Sequence, residues 1–230
     1  MATPRLLNLN SGRRDPVSEG QTMKARSFEP FAGYCAILAG VAGFLYAVAF
    51  LVVAARDPEL GGTLSALMLL LVGLFSTAAL TALYERLRAV EPTTALWAFL
   101  LGSVGALGAT IHGGYDLAVA LHPVSAAGAL VNAPSQTDPR GLLTFGLAGL
   151  GLLIVSWLIV RSDLLPRGLG YLGFASAILL VILYLGRLIV LSATSPIILV
   201  PAVVNGFVLD PLWYVWLGII FVRGARARPD

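Results

Sequence analysis

His112 and Asp116 stand one helical turn apart in an otherwise apolar stretch, "ATIHGGYDLAVALH", which His122 closes. Residues at i and i+4 share a helix face, and an imidazole beside a carboxylate can exchange a proton near neutral pH. Tyr184 and Arg187, then Asn205 and Asp210, also fall inside apolar runs. An ionised group at the middle of a bilayer costs at least about 2.5 kcal/mol, so such groups normally turn inward and pair. His112, Asp116, Tyr184, Arg187, Asn205 and Asp210 are therefore the candidate site, a single intramembrane polar cluster.

A rise of about 1.5 Å per residue sets their depths. On that measure His112 lies roughly 6 Å, Asp116 about 12 Å and Arg187 about 10 Å outside the midplane, with Asp210 close to it. Arg187 is expected to meet Asp210, Asp116 or both. One arginine and two aspartates leave an excess negative charge, which a proton on His112 or on one carboxyl group would cancel. Arg187 would repel a cation, which argues against a metal held by His112, Asp116 and Asp210. The two histidines are about 15 Å apart along the helix and roughly 80° apart in direction, so they cannot hold one haem iron. His122, before Pro123, reads as a helix-end residue.

Gly168, Gly170 and Gly173 match a dinucleotide-binding spacing. That motif needs a preceding strand and a soluble helix. Here it opens an apolar run after Pro166, and close helix packing accounts for it. The chain has no G-x-S-x-G, H-E-x-x-H, P-loop or Cys-x-x-Cys, so no catalytic, cofactor-binding or metal residue is assigned and no cofactor is expected.

The elements that must carry the cluster follow from composition. Of 230 residues, 58% are hydrophobic and only 12% charged, against about 25% charged in a soluble domain. Apolar runs at 31–55, 63–84, 95–121, 141–160, 168–193 and 198–222 are each long enough for the ~20 residues that cross a bilayer. The expectation is an all-α, polytopic membrane protein: a single bundle of six transmembrane helices spanning 31–222. A flexible polar tail precedes it at 1–30 and a short tail follows at 223–230. The tail has no apolar segment of its own before residue 31, which argues against a cleaved signal peptide. Arg13-Arg14 is followed by Asp15-Pro16, which does not fit a twin-arginine signal.

Arg5, Arg13, Arg14, Lys24 and Arg26 in the tail fall on the same side as Arg86, Arg88, Arg161, Arg167, Arg223, Arg226 and Arg228. Only Arg56 and Arg140 fall opposite, and Arg187 is within a span. The positive-inside rule then puts both termini in the cytoplasm. The same distribution accounts for the net charge of +3 without a nucleic-acid partner. The bilayer is the expected partner, with a membrane protein or a second copy left open. Cys35, the lone cysteine, reads as a small buried hydrophobe.

Small residues recur at helical spacing, as in Ala39, Gly43 and Ala47 or Gly102, Gly105 and Gly108, and predict helix-packing faces. "LAGVAGFLYAVAFLVVAARDPEL" and "LAGLGLLIVSWLIVRSDLL" resemble each other, as an inverted repeat of three spans would require, but their polar residues do not repeat at one offset. Residues 123–140 form the longest connection and read as a loop, with a lid over an outward cavity as the alternative. Asp210-Pro211 looks like an N-cap and first helical residue, so the last span either breaks there or kinks.

"RSDLLPRGLGYLG" and "DPLWYVWLGIIFVRG" resemble the domain-of-unknown-function 4386 family of small bacterial integral membrane proteins. The Leu-Pro-Arg turn before a Gly-rich helix and the Trp-Leu-Gly segment of the final helix carry the likeness, over the last third of the chain. It implies a bacterial inner-membrane location and a helical fold, and it supplies no catalytic residue. Three classes of function fit the sequence. The first is a structural or regulatory membrane protein with a paired polar clamp. The second is a small proton-coupled transporter or ligand-binding permease-like protein. The third is a membrane enzyme or redox subunit that binds a lipid or quinone.

Overall fold

The computed structural model describes residues 16–121, 137–190, 192 and 194–226. Every element among them is helical. α1 (Pro16–Val48) runs on through a wider π turn at Ala49–Val53; α2 (Pro58–Leu87) and α3 (Pro92–Leu121) follow; α4 (Ala148–Arg161) is preceded by a tight turn at Pro139–Gly141 and a π turn at Leu142–Leu147. α5 (Arg167–Ile189) leads to α6 (Pro196–Val204), a π turn at Asn205–Leu209 and α7 (Asp210–Arg226).

Proline marks most of these starts. Pro58, Pro92, Pro139 and Pro196 each open a helical element, where the missing N–H costs nothing and the fixed φ is already helical. Asp57 completes the start of α2 by accepting a hydrogen bond from Leu60 N at 3.0 Å.

Six segments are long and apolar enough to cross a membrane: Phe28–Val53, Pro58–Leu87, Pro92–Leu121, Leu142–Arg161, Arg167–Ile189 and Pro196–Gly224. These spans match the expected apolar runs to within about five residues at each end. Two local expectations change. The segment read as a mobile tail is helical from Pro16 onward. The last span does not break at Asp210, whose backbone is right-handed helical at φ −66°, ψ −49°. A proline ring would collide with the carbonyl four residues back, and the π turn at Asn205–Leu209 gives Pro211 the room it needs.

Each span packs on its neighbour in sequence, and the ring closes because the sixth packs on both the fifth and the first. The expected small-residue face of α3 is where the third and fourth spans meet. Gly102 abuts the backbone of Gly151, Gly105 that of Ala148, and Gly108 the side chain of Leu143.

The ring is filled unevenly. Its fully buried cluster, including Leu83, Leu87, Leu158, Ile159, Trp213, Leu217 and Phe221, lies entirely in the half nearer the chain termini. There Arg86 holds Glu29 through two hydrogen bonds, at 2.8 and 3.1 Å, and stacks on Phe221. This pair ties the first, second and sixth spans together. Glu29→Gln is expected to cost about 1–2 kcal/mol, because a bidentate pair that is four-fifths shielded is poorly screened. The corresponding fall in melting temperature in detergent should persist in high salt.

Candidate functional site

The other half of the ring is hollow. All six spans line a cavity of about 360 Å³. Its walls are mostly small or aliphatic, among them Leu69, Val72, Ala106, Ala109, Leu180 and Leu183. At the far end, opposite the termini, Phe50, Arg140, Thr144, Phe145, Arg187 and Ile198 line it from the ends of their helices. Near the middle of the bundle the floor is polar, with Ser76, Asn205, Asp210, Trp213 and Tyr214. Below Trp213 the packed cluster closes the ring.

The six expected site residues divide into two groups. Arg187, Asn205 and Asp210 line the cavity; His112, Asp116 and Tyr184 do not. Tyr184 instead packs its ring over Gly146. The expected pairing of Arg187 with Asp210 or Asp116 is absent: among the described residues Arg187 has no ion pair, and its guanidinium lies 5.3 Å from the ring centre of Phe145. Arg187 is two residues from the end of α5, whereas Asp210 is fourteen residues into the sixth span. A separation of about 18 Å of helical rise is beyond the reach of one arginine side chain.

Asp210 also makes no ion pair among the described residues. One oxygen points toward the first span, where a methyl group on Gly43 would meet it at 3.4 Å. Asn205, in the π turn, accepts a hydrogen bond from Ser176 Oγ at 2.7 Å, which fixes the fifth span against the sixth. Ser76 Oγ, His112 Nδ1, Ser156 Oγ and Trp213 Nε1 are buried without a hydrogen-bond partner among the described residues. Two of these four, Ser76 and Trp213, line the cavity floor. Orphaned buried groups are uncommon and call for water or a ligand.

The second group sits beside the cavity mouth. His112 Nε2 lies 3.1 Å from Asp116 Oδ2, the expected i,i+4 pair, and Nδ1 lies 3.8 Å from Asp138 Oδ2. Asp138 organises this corner. Its carboxylate is fully buried and accepts from Leu143 N and Thr144 N, both at 2.9 Å, and from Thr144 Oγ1 at 2.6 Å. These are the free donors at the start of the fourth span, satisfied as at any helix N-terminus. Thr144 also lines the cavity, so one residue joins the two groups. Tyr46, stacked on Phe50, is within electrostatic range of both Arg187 and Asp116.

Between Asp138 and this helix the chain turns through Arg140 at φ 63° and Gly141 at φ 79°. A left-handed arginine is uncommon and costs of order 1 kcal/mol or more. The turn carries Arg140 into the cavity lining. Sequence reading placed Asp138 and Arg140 in an irregular loop and missed both. The available signal was an Asp-Pro pair just before an apolar run, the pattern that Asp57-Pro58 also shows. His122 and the lid reading of 123–136 lie outside the described residues.

No group of three or more His, Cys, Asp or Glu side chains among the described residues is arranged to hold a metal. Cys35 is buried and unpaired. No family model, curated protein or solved structure matches the chain.

Proposed function

We propose that this chain crosses a bacterial inner membrane six times, with both termini in the cytoplasm, and holds a small-molecule site open toward the outside. Of the functional classes open to it, the ligand-binding, permease-like one is favoured over the structural clamp. The observation that carries this reading is that Arg187 and Asp210 line one cavity and leave each other unpaired. A clamp would close that distance. Mostly apolar walls with a few convergent polar groups, in a volume of about 360 Å³, are the features of a ligand pocket. The concentration of Arg at the terminal end supports the orientation, and the packed core at that end supports access from the opposite one.

The clamp reading suits only Asp138, which holds the start of the fourth span through Leu143 N and Thr144 N. His112 pairs with Asp116 on its own helix, and its Nδ1, 3.8 Å from Asp138, makes no hydrogen bond among the described residues.

Thermal unfolding of Arg187→Leu and Asp210→Asn in detergent separates the two roles. Under the ligand-site reading both variants stay within about 1 kcal/mol of the native protein, since neither removes a paired charge. Under a clamp either variant would lose about 3–5 kcal/mol.

A further inference from the structure

Resting on that reading, we propose that the cavity takes a single-chain amphiphile with an anionic head, a carboxylate or a phosphate ester. The head sits between Arg140 and Arg187, and the chain runs down the bundle axis toward Asp210.

Charge at the mouth selects the head. Arg140 and Arg187 line that end of the cavity, and neither has an ion pair among the described residues. The nearby acids are engaged elsewhere: Asp138 by three donors of the fourth span and Asp116 by His112. Arginine's planar fork suits carboxylate and phosphate oxygens, and a partly desolvated setting strengthens the contact. The left-handed backbone at Arg140 is strain of the kind that clusters at ligand sites.

The walls select the chain. Between mouth and floor the lining is aliphatic or small apart from Tyr46, which favours methylenes over a sugar or a nucleotide. The floor then sets the length. Arg187 and Asp210 differ by about 18 Å of helical rise, so a medium chain fits within the shaft. A longer one would press its methyl end on Asp210, Ser76 and Trp213 Nε1, stripping water from groups that it cannot hydrogen-bond. A cationic amphiphile would have Asp210 as its partner, but it must first pass both arginines.

The test is equilibrium binding to the full chain in phosphatidylcholine nanodiscs, with radiolabelled decanoate as the probe. Decyl phosphate, decanol, decylammonium and palmitate serve as competitors. Saturable decanoate binding is expected, displaced by decyl phosphate and at least about tenfold less well by decanol, decylammonium and palmitate. Arg187→Gln and Arg140→Gln should each weaken it by about tenfold, and Arg187→Lys by less. Equal competition by decanol, or unchanged binding in folded Gln variants, overturns the anionic head and leaves the ligand-site reading standing. Preferential decylammonium binding that Asp210→Asn abolishes does the same. Absence of saturable binding by any of the five probes overturns the proposal; if Arg187→Leu also collapses stability, the ligand-site reading falls with it. The ranking of competitors on the native protein needs no variant to fold.

Discussion

Asp138→Ala is expected to lower the stability of the purified protein by about 2–4 kcal/mol. The loss has two sources. Leu143 N and Thr144 N lose their acceptor in a part-buried position, and each unsatisfied donor costs up to about 1–3 kcal/mol. The helix start also loses its cap, worth about 1 kcal/mol. Partial repacking and water entry keep the total below the simple sum. Asp138→Asn retains one side-chain oxygen and should recover part of the loss. Thr144→Val removes the 2.6 Å hydroxyl contact and leaves both backbone donors satisfied, so it should cost about 1 kcal/mol. Thermal unfolding in one detergent, with the three variants side by side, checks the ranking. If Asp138→Ala proved neutral, the carboxylate would not be what launches the fourth span.

Gly151→Val should be comparably damaging for a different reason. A β-carbon at this position would lie 2.6 Å from Gly102 N and 2.8 Å from Gly102 Cα. The obstacle is backbone, which cannot rotate aside. The third and fourth spans would have to separate, losing the contacts that flank the cavity on both sides, at a cost of about 3 kcal/mol or more. Gly62→Ala is the control, since nothing lies within 4 Å of the added carbon; replacing glycine in a helix interior should be neutral or mildly stabilising. The expected signature is a fall in the fraction of monodisperse protein by size-exclusion chromatography, together with a lowered melting temperature.

The spans were legible because apolar length is a property of consecutive residues. The Gly102, Gly105 and Gly108 stripe was legible too, since 3.6-residue periodicity marks one face without reference to its partner. What could not be read was which polar residues meet across spans. Pairing depends on how each helix is rotated and how deep each residue sits, and neither is encoded locally. Arg187 and Asp210 had differing depths even in the sequence reading, yet the cost of leaving an ion unpaired argued for joining them. The hollow far half of the bundle removes that argument, because a charge that faces an accessible cavity need not be neutralised by the protein.

Asp-Pro pairs show the same limit in a smaller setting. At Asp57-Pro58 and Asp138-Pro139 the aspartate receives the first free N–H groups of a helix or helical turn. At Asp210-Pro211 an apolar helix already precedes the pair, and the chain continues through a π turn. The dipeptide is the same in all three places. The upstream sequence decides whether it starts a helix or widens one.

The proposal that the polar interior is an open site reached from the end opposite the termini is tested most directly by cysteine modification. In a Cys35→Ala background, Ala202→Cys places a thiol on the cavity wall, whereas Ala177→Cys places one in fully buried packing outside it. A membrane-impermeant methanethiosulfonate reagent is added to the outer face of intact spheroplasts. Modification of Ala202→Cys, with Ala177→Cys left unreacted, is the predicted result. An Ala202→Cys thiol that reacts from neither face, or only after the cytoplasmic side is exposed, would contradict it.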